Sequence, residues 1–123
     1  MKIKRHLKYF LVVCLYSCAA GDYSTDLGDH YLFVSESNAN QFIYNMNDTT
    51  GRRSIPCTVE QFKFDERYIV AKQNPNKDCS DKGFNDSISQ FYIVDKKRNI
   101  EYGPLDSSAY QKKKKLLSIT LNL

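Results

Sequence analysis

The sequence predicts an α+β fold that is mainly β, an antiparallel meander sheet of about five to six strands with one C-terminal helix packed on it. Two observations carry this prediction. Short runs rich in aromatic and β-branched residues recur along the chain, with turn-forming residues between them. After the last of these runs, a helix-start signal precedes a lysine-rich segment. Strands joined by short turns and followed by one helix form an antiparallel meander that the helix covers.

The first half of the predicted sheet contains two pairs of strands. Strand candidates lie at residues 31–34 and 41–44, and the Ser-Asn-Ala-Asn stretch between them has turn chemistry. The clearest β pattern covers residues 57–64, where apolar and polar residues alternate. The chain is expected to turn tightly after this strand and to return at residues 67–71.

A further hairpin is predicted in the second half. Residues 88–94 form its first strand, residues 95–99 its loop and residues 100–102 its second strand. Asn99 closes the loop, and asparagine tolerates the left-handed backbone that such a position often requires. Gly103-Pro104 is expected to end the returning strand.

The C-terminal helix has a clear start signal. Asp106 is the predicted N-cap of a helix from Ser107 to about Leu117. Leu105 and Tyr110 have the spacing of a hydrophobic staple across that cap. The predicted inward face consists of Ala109, Tyr110, Leu116 and Leu117.

Two features follow on the C-terminal side. Lys112 to Lys115 are expected to form a solvated helix end, where cations suit the helix dipole. Apolar and polar residues alternate over residues 117–123, which predicts a short strand. A longer helix is the alternative for this tail.

The N-terminus is typical of a secretory signal. Basic residues at positions 2, 4, 5 and 8 precede the apolar residues 9–16. A membrane-spanning helix needs roughly 20 apolar residues, so this run is too short to span. Leu15-Tyr16-Ser17-Cys18 is typical of a lipobox, which predicts cleavage between Ser17 and Cys18 and lipid, including palmitate, on Cys18. Ordinary signal cleavage after Ala20 is the alternative.

We therefore expect three parts in the chain: a signal peptide (1–17), a lipid anchor with a flexible tether (18–29) and a single β-rich domain (30–123). The formal net charge of +4 belongs to the signal, because removing its four basic residues leaves 14 Lys and Arg against 14 Asp and Glu. A neutral exported chain is not expected to bind nucleic acid. Its predicted location is the cell envelope, on the periplasmic or the surface side of a membrane.

Two cysteines remain in the predicted domain. Cys57 and Cys79 could form a disulfide in an oxidising envelope, where a loop of about 22 residues would contribute roughly 3 kcal/mol. Two unpaired thiols are the alternative, because the distance between the Cα atoms cannot be read from the sequence.

The segment from Phe91 to Asp95 and the Tyr102-Gly103-Pro104-Leu105 motif resemble a family of small uncharacterised bacterial lipoproteins. Its members share a lipobox, a Gly-Asp-Tyr opening (here residues 21–23), a strand like residues 68–73 and a Lys-rich helix. The resemblance extends from Cys18 to Leu117 and implies the anchor and the architecture. It implies no catalytic residue, because the family has no assigned activity. The two domain cysteines and the apolar tail are not among its shared features.

The residues that carry chemistry are sparse. His30 is the single histidine after the signal, and no nucleophile motif lies near it. One histidine and a distant cysteine pair do not have the spacing of a zinc site. Aspartates at positions 78, 81 and 86 do not have the spacing of a calcium loop. We predict no catalytic residue, no metal site and no cofactor.

Three functions are compatible with these residues. The first is a lipid-anchored, non-catalytic envelope protein that binds an unknown protein or envelope component through a sheet edge or an aromatic face. The second is a secreted, non-lipidated inhibitor or interaction protein. The third is a small envelope hydrolase that uses His30 with loop carboxylates, which would have to lie within hydrogen-bond reach of a nucleophile.

Overall fold

The computed structural model describes residues 22–76, 79 and 89–123. Within these residues the chain forms eight strands and one helix. They are β1 (Tyr23–Gly28), β2 (Tyr31–Ser35), β3 (Gln41–Asn45), β4 (Arg53–Ile55), β5 (Val59–Phe64), β6 (Tyr68–Gln73), β7 (Gln90–Asp95), β8 (Ile100–Leu105) and α1 (Ser107–Leu116). Among the described residues, no helix is both long and apolar enough to cross a bilayer.

The strands form two antiparallel sheets of four strands each. The first sheet has the order β1-β2-β3-β4, and the second has the order β5-β6-β7-β8. Both are meanders, because each strand pairs with its neighbour in the chain. The predicted fold class is confirmed. The strands divide between two sheets, whereas the prediction placed five to six strands in one.

The main core lies between the two sheets. It combines apolar residues of the first sheet with those of the second, and all of them are buried. The members are Leu27, Tyr31, Phe33, Ile43 and Ile55 from the first sheet, and Val59, Ile69, Ala71, Tyr92 and Val94 from the second. The structure is therefore a sandwich with a shared apolar interior.

The outer face of the second sheet is covered as well. A second core contains the buried residues Tyr68, Val70, Ile93, Tyr110 and Ile119. The ring of Tyr110 from α1 stacks on the ring of Phe91 from β7, with centroids 4.6 Å apart. The second sheet is thus the middle of three layers. Because both of its faces are buried, β6 has an uninterrupted apolar run over residues 68–71 rather than an alternating pattern.

Two strands were not predicted. Strand β1 lies within residues 18–29, which the sequence analysis assigned to a flexible tether. Only Leu27 of its six residues is buried, so its composition is that of a polar linker although it pairs with β2. Strand β4 has only three residues, and its register with β3 shifts between Ile43 and Tyr44. Three residues are too few to show the alternation of apolar and polar residues by which a strand is recognised.

The turn between β7 and β8 (residues 95–99) joins the two sheets. The ammonium group of Lys96 is buried and donates to the carbonyl oxygens of Leu27, near the end of β1, and of Asp65, in the β5–β6 turn. Burial lowers the pKa of Lys96. Asn99 has φ 56°, as predicted for this position. The end of β1 and the β5–β6 turn therefore meet at the β7–β8 turn.

Asp95 opens the same turn and is fully buried. Burial opposes its ionisation, but hydrogen bonds from the Arg67 guanidinium and the Arg98 backbone N–H outweigh that effect, so the pKa of Asp95 is lowered. The distance from Arg67 Nη2 to Asp95 Oδ2 is 3.2 Å. A lowered pKa means that this carboxylate stays ionised and holds the β5–β6 turn against the β7–β8 turn.

Strand β8 continues through Gly103-Pro104, contrary to the expectation that this pair ends it. The register shifts by one residue between the pairs Ile93–Tyr102 and Phe91–Leu105, which marks a bulge. Pro104 lies in this bulge and is not among the paired residues of β8, so the strand tolerates its missing N–H. Gly103 has φ 150°, and a Cβ there would overlap the ring of Tyr92.

The helix begins as predicted. The Ala109 N–H donates to Asp106 Oδ1 at 2.7 Å, so Asp106 is the N-cap. The helix ends at Leu116, one residue before the predicted end. Ser118 adopts φ 55°, and the Ile119 N–H donates to the Lys114 carbonyl at 2.9 Å. This is the Schellman arrangement, which reverses the chain direction at a helix end.

The residues after the helix form neither the predicted strand nor a longer helix. The left-handed Ser118 redirects the chain, so that Ile119 and Leu121 pack on the outer face of the second sheet. The alternation in the tail therefore reflects an irregular segment with one buried side.

The inward face of the helix also differs from the prediction. Tyr110 and Lys114 are buried, whereas Leu116 is 75% exposed. Residues four apart lie on the same side of a helix, so the burial of Tyr110 brings Lys114 inward. The Lys114 ammonium is satisfied by Asn122 Oδ1 at 2.9 Å. The lysine run is therefore not uniformly solvated.

The contact between Gly103 and Tyr92 leads to a stability prediction. Gly103→Ala is expected to lower the free energy of unfolding by about 2–4 kcal/mol, because a methyl group overpacks against a buried ring at a positive φ. Urea unfolding followed by circular dichroism measures this change. Gly51→Ala is the control, since Gly51 has φ 72° with no atom within 4 Å of the added Cβ. It should cost only about 1 kcal/mol. Equal losses in the two variants would contradict the packing explanation.

Candidate functional site

A polar cleft lies where the β4 edge of the first sheet meets the β8 edge of the second. Its volume is about 740 Å³. Most of its lining residues come from the β3–β4 region and from the start and bulge of β8. They are Asn45, Asn47, Asp48, Arg52, Arg53, Ser54, Pro56, Tyr92, Asn99, Ile100, Glu101, Gly103 and Pro104. Two other cavities that the described residues line are smaller, at about 530 and 330 Å³.

The floor of the cleft is a hydrogen-bonded cluster that connects the two sheets. The Tyr31 hydroxyl donates to Asn99 Oδ1 at 2.7 Å, and Asn45 Nδ2 donates to the same oxygen at 3.0 Å. Burial raises the pKa of Tyr31, and the nearby carboxylate of Glu101 raises it further. The hydroxyl therefore keeps its proton and remains a donor at neutral pH.

Arg52 forms the rim and bridges the two walls. Its Nη2 lies 3.0 Å from Glu101 Oε2 on β8, and its Nε lies 3.9 Å from Asp48 Oδ2. The arginine side chain is 66% exposed, so these ion pairs close the rim loosely and solvent can reach them. The guanidinium is thus available to a ligand.

Asp48 is oriented by its own loop. The hydroxyl and the backbone N–H of Thr50 donate to Asp48 Oδ1 at 2.6 and 2.9 Å. These hydrogen bonds lower the pKa of Asp48. The carboxylate is therefore ionised at neutral pH and acts as a fixed acceptor at the rim.

Arg53 forms part of the wall beside the disulfide. Its guanidinium lies 3.7 Å from the centroid of the Phe42 ring and donates to Asn40 Oδ1 at 3.1 Å. Its Nη1 also lies 3.5 Å from the sulfur of Cys79. Cys57 and Cys79 form a disulfide with Cα atoms 5.6 Å apart. Since Cys57 follows Pro56 of the lining, this bond supports one end of the cleft.

The chemistry of the cleft suits a neutral, polar ligand. Its guanidinium groups and the Asn47 amide can donate, the carboxylates of Asp48 and Glu101 can accept, and the Tyr92 ring supplies apolar surface. The lining contains two arginines and two carboxylates, so its formal charges balance, which does not favour a strongly charged partner. Among the described residues, no group of three or more His, Cys, Asp or Glu residues is placed to hold a metal ion.

The predicted site residues lie elsewhere. His30 is exposed at φ 71° in the two-residue β1–β2 turn, and its side chain makes no hydrogen bond or ion pair with another described residue. The described residues therefore do not assemble the His30 site that a hydrolase would need. Ser17, Cys18 and the aspartates at 78, 81 and 86 lie outside the described residues.

Arg52, Asp48 and Glu101 could not be identified as site residues from the sequence. Arg52 and Glu101 are 49 residues apart, so no local spacing indicates their contact. Asp48 lies between the strands predicted at residues 41–44 and 57–64, and only the pairing of β4 with β3 brings this segment to the cleft. The only local indication of a site was that Asp48 and Arg52 each lie next to a turn-forming residue.

Most of the aromatic residues that the structure describes are buried in the two cores or packed against them. The buried rings are Tyr31, Phe33, Phe42, Tyr68, Tyr92 and Tyr110. An aromatic face was one of the two binding surfaces expected from the sequence. The most exposed rings of the described residues are one tyrosine, Tyr23, and one phenylalanine, Phe64.

Comparison with known proteins identifies a family. Residues 28–123 match the sequence profile of a family described as a protein of unknown function, DUF3997. The match contains the cleft and every strand except β1, of which it includes only Gly28, whereas Cys18 and residues 21–23 precede it. No curated protein and no solved structure matches the chain.

The cleft floor yields a prediction that compares two buried tyrosines. Tyr31→Phe is expected to lower the free energy of unfolding by about 1–2 kcal/mol, because Asn99 loses a donor and the link between the sheets weakens. Thermal and urea unfolding measure this change.

Tyr110→Phe is the matched control. The Tyr110 hydroxyl is buried and has no hydrogen-bond partner in the described part of the chain. Its removal should leave stability unchanged or raise it, because an unsatisfied polar group is removed. A larger loss at Tyr110 than at Tyr31 would contradict this account of the floor.

Proposed function

Because the chain belongs to the DUF3997 family of proteins of unknown function, we propose its role from its own residues. It is a lipid-anchored bacterial cell-envelope protein that acts as a non-catalytic binding module and holds a neutral, polar envelope component in the cleft. The observation that carries the binding role is the bridge formed by Arg52 between Asp48 and Glu101 across the two sheets.

The anchor is supported by the N-terminal sequence. A basic start and a short apolar run precede Leu15-Tyr16-Ser17-Cys18, and this combination is typical of an exported lipoprotein. The disulfide between Cys57 and Cys79 is consistent with an oxidising compartment. The membrane is then the first partner, reached through lipid on Cys18.

The non-catalytic role is supported by the electrostatics of the cleft. A general acid needs a carboxyl group whose pKa is raised toward neutrality. Asp48 has a lowered pKa instead. The Glu101 carboxylate is held by Arg52, with Oε2 3.0 Å from Nη2. These groups are suited to hold a ligand through hydrogen bonds.

The anchor is tested by the intact mass of the protein extracted from the membrane fraction. The expected chain starts at Cys18 and carries diacylglycerol and a fatty acid. Reduction should add the mass of two hydrogens, because Cys57 and Cys79 are bonded. A soluble chain starting at Gly21 would contradict the anchor and favour a secreted inhibitor. A chain retaining Met1 would contradict signal cleavage altogether.

The cleft is tested by nuclear magnetic resonance with isotope-labelled protein. The probe is a mixture of soluble, uncharged oligosaccharides of N-acetylglucosamine, a sugar of the bacterial cell wall that carries hydroxyl and amide groups. Saturable shifts are expected for residues 45–56 and 99–104. Arg52→Ala should weaken binding by about tenfold or more, because hydrogen bonds to a charged group are lost.

Lys112→Ala is the control for this experiment. Lys112 is exposed on the helix and does not line the cleft, so the variant should bind as the wild type does. Shifts outside the cleft, or equal binding by Arg52→Ala, would rule out the cleft as the binding site for this probe.

A further inference from the structure

Four aromatic rings form a continuous stripe on the side of the sandwich opposite the cleft. The ring centroids of Tyr23 and Phe33 are 6.0 Å apart, those of Phe33 and Phe62 are 4.4 Å apart, and those of Phe62 and Phe64 are 6.4 Å apart. We call these four residues the aromatic stripe. It runs from β1 and β2 of the first sheet to β5 of the second. Strands β1 and β5 are edge strands, and the cleft uses the other edge of each sheet, β4 and β8.

The stripe is anchored inside and exposed at both ends. Phe33 is 3% exposed and belongs to the main core, whereas Tyr23 is 57% and Phe64 is 42% exposed. The inner rings therefore hold the outer rings in position. Fixed aromatic rings with one face in solvent suit a boundary between water and an apolar phase, where tyrosine in particular is enriched in membrane proteins.

The position of the predicted anchor identifies that apolar phase. Cys18 lies five residues before Tyr23, so even a fully extended chain between them reaches at most about 18 Å. Tyr23 is both the first residue of β1 and the first ring of the stripe. A lipid on Cys18 therefore keeps this end of the stripe close to the headgroup layer, which is roughly 5–8 Å deep on each side of a bilayer.

We propose that the aromatic stripe lies on the bilayer surface, so that β1 and β5 face the lipid and the cleft opens away from the membrane. This inference rests on the anchor of the proposed function and adds an orientation to it. The exposed neighbours on these two strands, Asp26, Glu60 and Lys63, carry mixed charges. The contact is therefore apolar, and its strength should depend little on ionic strength or on anionic lipid.

The orientation has a functional consequence. A sheet of four strands is roughly 14 Å wide between its outer strands. Lipid contact at β1 and β5 thus places the cleft at about that height above the contact surface, where a large envelope component can enter it. The same anchor with the cleft facing the bilayer would exclude such a ligand.

The natural absence of tryptophan permits a direct test. Single substitutions Tyr23→Trp and Phe64→Trp introduce one reporter each on the stripe. Leu116→Trp and Met46→Trp are matched controls, because both positions are exposed apolar residues outside it. Each lipidated full-length mature protein is reconstituted into phosphatidylcholine vesicles that carry bromine on the acyl chains near the headgroups.

The two stripe reporters should lose about half or more of their emission to bromine quenching and shift to shorter wavelength, while the two controls should emit as in water. Added salt and added phosphatidylglycerol should change little. Equal quenching at all four positions, or stronger quenching at Leu116→Trp, would overturn the proposal. The latter result would instead orient the helix end, with Lys112 and Lys115, toward the membrane.

A second experiment tests the proposed orientation separately from the proposed lipid anchor. In the mature chain, Cys18→Ala is combined with an N-terminal polyhistidine tag that binds a nickel-chelating lipid. If mass analysis finds no lipid on Cys18, the proposed anchor fails. Quenching in the tethered protein then still decides whether the stripe contacts a bilayer. Failure of quenching in both forms, with lipid present on Cys18, overturns the orientation alone.

Discussion

The turn between β7 and β8 is the contact on which the rest of the structure depends. A buried ammonium group is costly unless its donors are satisfied. Lys96 meets that requirement with the carbonyl oxygens of Leu27, near the end of β1 in the first sheet, and of Asp65, in the β5–β6 turn of the second. Asn99, three residues later, accepts from Tyr31 and Asn45 of the first sheet. The burial of Lys96 therefore requires that both sheets are formed and aligned.

The joined sheets leave two open sides with different chemistry. Apolar packing fills the interior, so the sheet edges determine what the surface can bind. At β4 and β8 the edges carry charged and amide side chains, with Arg52 paired to Glu101 across the gap. At β1 and β5 they carry aromatic rings that continue the core outward. One side is suited to a polar ligand and the other to an apolar surface.

Features that depend on a few neighbouring residues could be predicted. The Asp106 cap and the left-handed Asn99 follow from local backbone chemistry, and both are present. Features that depend on contacts between distant residues could not be predicted from the sequence. Strand β1 is polar in composition and is a strand only because β2 pairs with it. Lys114 is inside and Leu116 outside because Tyr110 determines which side of the helix packs.

The sequence by itself determined the mainly β class, the three hairpins β2–β3, β5–β6 and β7–β8, and the start of the helix, because hydrophobic alternation, turn residues and caps act over a few residues. Only the tertiary structure decided the division into two sheets and the position of the cleft. Strands with the same alternation can either pair edge to edge or stack face to face. The choice depends on contacts between residues far apart in the chain, such as Lys96 with Leu27 and Arg52 with Glu101.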